Sequence, residues 1–202
     1  MIDNIEHIKK LLDFQSEGDF YMLYVFKRKK DQPEGEKDNH QSVRTIKTYC
    51  IDSIEYLDKR YEEIKQLCEV FHARAYIHIQ RQNHKDVSLN LMVELATRIK
   101  SNCFNQQHIF DSVVGQLKVY EKRWIVDIDT KSMDFIHGVV NTINDLQPVG
   151  DKIECIIPTK NGFHIITKPF RTDTFQSIYP DIDVQKKNPT LLYYPNSLET
   201  NK

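Results

Sequence analysis

The sequence predicts an α+β fold, with strands and helices in mixed order within a single domain of 202 residues. Two observations support this prediction. Segments in which apolar and polar residues alternate, as in β-strands, are interspersed with segments whose apolar residues recur at helical spacing. No internal repeat, low-complexity tract or linker divides the chain, and its length is sufficient for a full hydrophobic core. We therefore expect one α+β unit whose sheets meet over a cleft.

The first 120 residues form the N-terminal subregion of the predicted domain. Aromatic and β-branched residues define its strands, and apolar residues at helical spacing define its helices. In chain order these elements are helix 2–14, strand 20–26, strand 43–51, helix 53–70, strand 73–81 and helix 87–101. The charged stretch 27–39 is predicted to be a mobile hairpin tip, either solvated or in contact with phosphates. Residues 102–120 are predicted to be loop with short elements.

The strand predicted over residues 73–81 has one polar face. Alternation places Arg74, Tyr76, His78 and Gln80 on the same side of this strand. Such a face is either plain solvent-facing surface or the floor of a binding groove. The sequence leaves both interpretations open.

Residues 121–202 form the second predicted subregion. A strand over 123–130 is followed by a helix that begins at Ser132 and ends before Pro148. A tight turn at 158–162 then joins two further strands. In chain order the remaining strands are 153–157, 163–167, 181–184 and 191–194, and the last two are expected to pair with each other.

The strand over 123–130 ends in two carboxylates on alternate residues, Asp127 and Asp129. Because side chains on a strand alternate between faces, both acids point the same way and are able to hold one divalent cation. The alternative is a strand whose end is capped by solvated acids. Magnesium and manganese are the ions that favour such oxygen ligands.

Two further segments carry residues suited to phosphate chemistry. In the turn 158–162, free backbone N–H groups, Lys160 and the following His164 are able to converge on an anion, because glycine permits close approach. Asp181 and Asp183 precede a short apolar strand, and either is a candidate third acid. Acids that hold divalent ions, together with cationic and imidazole groups on the phosphates, are what nucleotidyl transfer requires.

These segments resemble the three motifs of the archaeo-eukaryotic primase superfamily, in particular its small primase-polymerase branch. The similarity covers Asp127-x-Asp129, the segment 159–164, and Asp183 followed by the segment 191–197. The resemblance implies an N-terminal α/β unit and a C-terminal unit like an RNA-recognition module, with the active site in the cleft between them. It also implies joining of nucleoside triphosphates on a single-stranded DNA template, with any helicase supplied as a separate chain.

The resemblance also implies roles for individual residues. Asp127, Asp129 and Asp183 would bind Mg²⁺ or Mn²⁺, and the nucleotide-binding residues would be Lys160, Asn161, Gly162 and His164. The second motif has Lys-Asn-Gly-Phe where members often have Ser-Gly-Gly-Arg, so one arginine contact to phosphate is missing. Further candidates for template or phosphate contacts are Arg74, Arg81, Arg123 and Lys168.

A rival interpretation is a non-catalytic module of primase type that binds nucleic acid or a nucleotide without turnover. The net charge of -1 favours it, because a strongly basic surface is absent at the level of composition. A metal-dependent nuclease is a weaker alternative, since the sequence has no E-x-K or histidine-rich signature. The four cysteines are widely spaced, which predicts reduced thiols in a cytoplasmic protein. The sequence has no apolar run of membrane length and no signal-peptide pattern, so we expect no membrane partner.

Overall fold

The α+β prediction is confirmed by a computed structural model, which describes residues 1–32, 43–104, 109–117 and 119–196. Most of the predicted hairpin tip and the end of the last motif, at Ser197, lie outside the described residues. The helices are α1 (Ile5–Leu11), α2 (Ile54–Val70), α3 (His84–Lys100), α4 (Ile109–Gln116), α5 (Met133–Asp145) and α6 (Thr172–Ile178). The strands are β1 (Ile2–Asp3), β2 (Asp19–Arg28), β3 (Val43–Ile51), β4 (Arg74–Ile77), β5 (Gln82–Asn83), β6 (Trp124–Ile128), β7 (Ile153–Pro158), β8 (Phe163–Thr167), β9 (Asp183–Gln185) and β10 (Thr190–Tyr194).

The strands form two antiparallel sheets. The first has the order β1-β10-β4-β2-β3, with β5 paired to the start of β2. The second has the order β7-β8-β6-β9. The second sheet is therefore built by the consecutive elements β6-α5-β7-β8-α6-β9, whereas the first recruits its β10 from the end of the chain.

Helix starts follow the predicted caps. The backbone N–H of Tyr56 donates to the Ser53 hydroxyl at 3.1 Å, and the N–H of Phe135 donates to the Ser132 hydroxyl at 3.4 Å. Each bond satisfies an N–H group that lacks a partner in the first turn. The predicted starts of α2 and α5 are thus confirmed.

The predicted pairing of strands 181–184 and 191–194 is wrong. Strand β9 pairs with β6 in the second sheet, whereas β10 lies between β1 and β4 in the first. Both strands are short, and partner choice depends on long-range packing that a short apolar pattern does not encode. The four residues 186–189 between them carry the chain from one sheet to the other.

The predicted strand over 73–81 is shorter, because regular pairing ends at Ile77 and the N–H of His78 donates to the Met22 carbonyl at 2.8 Å. Its polar face is not plain surface, since Arg74 and Tyr76 are buried. Helix α4 is a short element within the segment 102–120, which the sequence predicts to be loop with short elements.

The two sheets share one hydrophobic core. Side chains Ile125, Ile157 and Ile166 from the second sheet pack into the cluster that holds the first sheet against α1 and α2. The opposite face of the second sheet packs on α5 and α6 through a separate cluster that includes Val126 and Ile165. Alternation along β6 therefore directs Ile125 and Asp127 toward the first sheet.

None of the helices in the described ranges is long and apolar enough to cross a membrane. The four cysteines are free thiols, of which Cys68 is buried and Cys103 is exposed. Burial raises the pKa of the Cys68 thiol to about 12. This thiol is consequently protonated and unreactive at neutral pH.

Candidate active site

Strand register aligns the three predicted motifs side by side. Asp127 of β6 pairs with His164 of β8 on one side and with Asp183 of β9 on the other. Directly opposed residues have side chains on the same face, with Cβ atoms about 4.5–5.5 Å apart. Asp181 lies before β9 and has no partner position on β6. The register therefore favours Asp183 over Asp181 as the third acid.

Gly162 holds the turn of the second motif against the end of the acidic strand. A Cβ at this position would lie 1.9 Å from the Ile128 carbonyl oxygen and 2.7 Å from the Thr130 nitrogen. The turn is closed by a bond from the Thr159 N–H to the Gly162 carbonyl at 2.8 Å, and the Gly162 N–H donates to the Thr159 hydroxyl at 3.2 Å. Only glycine permits this approach between two backbones.

His164 is buried, and one of its ring nitrogens is hydrogen-bonded. Its Nδ1 lies 2.9 Å from the Thr190 hydroxyl, and its Nε2 lies 3.5 Å from an Asp127 carboxylate oxygen. Burial lowers the pKa of His164 to about 4, against the opposing effect of the Asp129 charge. The imidazole is therefore neutral at pH 7 and acts as a positioned hydrogen-bonding group rather than as a cation.

The amide of Gln185 joins two of the acids. Its Nε2 donates to Asp183 Oδ2 at 2.9 Å and lies 3.5 Å from Asp127 Oδ2. The carboxylates of Asp127 and Asp183 therefore both lie close to the partly positive NH₂ group of Gln185. Gln185 follows Asp183 by two residues and shares its face of β9.

A polar pocket of about 190 Å³ lies where the two sheets meet, and it includes Asp127 and His164 but not Asp183 or Gln185. The strands of the second sheet and their turn contribute Asp127, Asp129 and the segment 159–161. The strands of the first sheet contribute Arg28 and Arg74. The lining residues are Arg28, Arg74, Tyr76, Asp127, Asp129, Thr159, Lys160, Asn161, His164 and Leu191. Acids, cations and the buried imidazole therefore line one pocket.

The cations of this pocket differ in their partners. Arg74 forms a buried ion pair with Asp31, and its guanidinium lies 4.8 Å from the centroid of the Tyr194 ring. Lys160 Nζ donates to the Tyr194 hydroxyl at 2.6 Å. Because that hydroxyl is neutral, the lysine charge stays available to an anion, whereas the Arg74 charge is balanced by a carboxylate.

Five of the predicted residues do not line this pocket, namely Asp183, Gly162, Arg123, Arg81 and Lys168. Asp183 is exposed on β9 and contacts the Gln185 amide, and Gly162 packs against the backbone of Ile128. Arg123 Nη1 donates to the Leu11 carbonyl at 2.8 Å, and its Nε lies 2.7 Å from a Glu154 carboxylate oxygen. Arg81 is engaged in the same way, with its Nη1 3.0 Å from the Asp13 carbonyl. Lys168 is exposed beyond the far end of β8, about 13 Å along the strand from His164 at 3.3 Å per residue.

Several residues of the site were not predicted from the sequence. Thr190 and Tyr194 come from β10, whose partner strands were not anticipated. Gln185 was detectable in principle, because it follows Asp183 at strand spacing. Arg28 belongs to the basic stretch whose phosphate contact was left open.

The chemistry of the donor set fits a divalent ion only in part. Two carboxylates converge and Asp129 lines the same pocket, which suits a hard cation that prefers oxygen. Within the described ranges, however, no three His, Cys, Asp or Glu side chains are close enough together to hold a metal ion. Magnesium sites commonly use one or two carboxylates and complete their coordination with water and substrate phosphates.

Comparisons with protein-family models, curated proteins and solved structures gave no significant match to this chain.

Proposed function

We propose that the protein is a template-dependent nucleotidyltransferase of the DNA primase or primase-polymerase type. One observation carries the proposal, namely the pocket in which Asp127, Asp129, Lys160 and His164 of the second sheet lie opposite Arg28 and Arg74 of the first. Carboxylates opposite cationic and imidazole groups are the arrangement that phosphoryl transfer uses. The order of the three motifs, and the register that aligns them, is what the archaeo-eukaryotic primase resemblance implies.

The topology of the second unit supports the same proposal. Its element order is β-α-β-β-α-β, with a four-stranded antiparallel sheet in the order β7-β8-β6-β9. This is the arrangement of ferredoxin-like units, to which RNA-recognition modules belong. In the proposed enzyme, this unit and the α/β unit before it enclose the catalytic cleft, as the resemblance implies.

Mg²⁺ or Mn²⁺ would be held by Asp127, Asp129 and Asp183, with the nucleotide phosphates completing the coordination. When bound, such ions activate the attacking oxygen and neutralise charge on the transferred phosphoryl group. Lys160 donates to a phosphate oxygen, and Arg28 lies across the pocket to do the same. The imidazole of His164 is neutral and is oriented by Thr190. In the proposed enzyme it donates one hydrogen bond to a phosphate oxygen without adding charge.

Gln185 keeps the two acids together when no cation is bound. Its amide offsets part of the repulsion between Asp127 and Asp183. The single-stranded DNA template would approach along the same cleft, and a separate helicase would supply it from duplex DNA.

The second candidate is a non-catalytic module that binds a nucleotide or nucleic acid. The observation that favours it is the second motif, which lacks the arginine contact to phosphate that members of the superfamily often have. Such a module binds through Lys160 and the neighbouring groups but transfers nothing. The two candidates therefore differ in turnover and not in the place of binding.

The test incubates the protein with single-stranded DNA, Mn²⁺ and labelled nucleoside triphosphates. The critical variant is Asp127→Asn with Asp129→Asn, which removes two charges and preserves shape. The matched control is Asp181→Asn, an exposed acid on the same segment as Asp183. We expect template-dependent products from the wild type and the control, and none from the double variant. Absence of product from all three, with nucleotide binding retained, would favour the non-catalytic module.

A further inference from the structure

The cleft has a second compartment beside the polar pocket. Its volume is about 200 Å³, and it shares Arg28, Tyr76, Asp127 and His164 with the polar pocket. The remaining lining residues are Phe26, Val43, Gln185, Asn188 and Pro189. Because four residues are common to both, the two compartments are adjacent.

The two compartments differ in chemistry. Asp129, Lys160 and Asn161 line only the first, whereas Phe26, Val43 and Pro189 line only the second. Neither volume reaches the roughly 300 Å³ at which small-molecule sites begin. A ligand that spans both compartments therefore meets charged groups at one end and apolar side chains at the other.

An aromatic pair is available for the flat end. Phe26 and Tyr76 lie on the neighbouring strands β2 and β4, with ring centroids 4.8 Å apart and planes inclined by 11°. The guanidinium of Arg74 donates to the Tyr76 hydroxyl at 3.4 Å, which fixes that ring. Stacking on an aromatic ring raises the affinity for a nucleobase by roughly 5- to 150-fold.

We propose that this cleft binds a nucleoside triphosphate before any template, with the base stacked on the Phe26–Tyr76 pair and the phosphates beside Lys160. The inference rests on the proposed function, because it assigns the part of the substrate that the acidic motifs leave unassigned. The side-chain amides of Gln185 and Asn188 supply donors and acceptors to the edge of the base.

A mononucleotide suits the cleft better than a nucleic-acid strand. The compartment lined by Phe26 and Tyr76 lies beside the compartment of Lys160, so one short molecule with a base and its own phosphates suits the pair. A strand would instead require stacking surfaces that continue past a single base. Binding of single-stranded DNA in the second compartment is thus the competing outcome of the test.

The test compares the affinities of ATP and of inorganic tripolyphosphate by calorimetry, both with Mn²⁺ and without DNA. The variants are Phe26→Leu and, as an independent change in the same pair, Tyr76→Leu. The matched control is Phe135→Leu, an exposed aromatic residue on α5 that lines neither compartment. We expect each pair variant that folds to weaken ATP binding roughly tenfold and to leave tripolyphosphate binding unchanged, while the control changes neither.

Equal affinities of the wild type for ATP and tripolyphosphate would overturn the inference, as would unchanged ATP affinity in both pair variants. So would a loss of affinity for a single-stranded oligonucleotide in the pair variants without a loss for ATP. Failure of the proposed function gives a different pattern, in which ATP binding depends on Phe26 but no nucleotide is incorporated. If nucleotides are incorporated but the Phe26 variant binds ATP as tightly as the wild type, this inference alone is refuted and the proposed function stands.

Discussion

Replacing Gly162 with alanine should separate the two halves of the site. The new Cβ would lie 1.9 Å from the Ile128 oxygen and 2.9 Å from the Ile128 carbonyl carbon, so the clash is with backbone and no side chain is able to move aside. Overpacking of this kind costs about 1–3 kcal/mol, and the absence of a flexible neighbour favours the upper part of that range. For a chain of this size, the melting temperature falls by about 2–4 °C for each kcal/mol.

The assay is urea unfolding together with calorimetric binding of ATP and Mn²⁺. The matched control is Gly138→Ala on helix α5, where the nearest atom to the added Cβ is the Tyr179 hydroxyl oxygen at 3.9 Å. The control should gain about 0.5–1 kcal/mol, because alanine favours a helix interior over glycine. The Gly162 variant should lose stability and bind ATP more weakly, since the shift separates Lys160 from the acids. Wild-type stability and affinity in Gly162→Ala would refute the close approach described above.

Three further predictions concern individual side chains. Lys160→Gln should weaken ATP binding roughly 10- to 100-fold through loss of a charge-assisted hydrogen bond, whereas Lys168→Gln at the far end of β8 should leave the calorimetric affinity unchanged. Arg123→Met should lower the free energy of unfolding by about 3 kcal/mol, because it leaves Glu154 without its charge partner in a largely buried site; equal urea midpoints for wild type and variant would contradict this. Burial lowers the pKa of His78 to about 4, so the native protein keeps it neutral while the unfolded chain binds a proton below about pH 6.5. His78 therefore does not change the free energy of unfolding above pH 6.5, and it lowers that free energy by up to about 3 kcal/mol at pH 4. The variant His78→Gln should remove this part of the pH dependence, which urea unfolding curves at several pH values would measure.

Local signals predicted most of the elements. The caps at Ser53 and Ser132 place the starts of α2 and α5, because a single side-chain hydrogen bond determines each. Alternation along the strand predicts that Asp127 and Asp129 lie on one face, and both line the same pocket. These features depend on a few neighbouring residues, which is why the sequence alone reveals them.

Partner choice between strands could not be predicted in the same way. Strand β10 supplies Thr190 to His164 and Tyr194 to Lys160, but only because it crosses to the first sheet. All five residues of β10 are buried, and such a continuous buried run does not indicate which strands β10 pairs with. The same limit applies to Arg123, whose charge suggested nucleic acid but whose donors satisfy backbone carbonyls at the junction of the two units.

The most direct test of the central claim is a crystal structure with Mn²⁺ and a non-hydrolysable nucleoside triphosphate. We predict an anomalous manganese peak between Asp127 and Asp183, where the Gln185 amide now bridges the carboxylates, with the phosphates against Lys160. The base should lie against Phe26 and Tyr76. Manganese and phosphates bound elsewhere, with the Gln185 bridge intact, would contradict the assignment of this cleft as the nucleotide site.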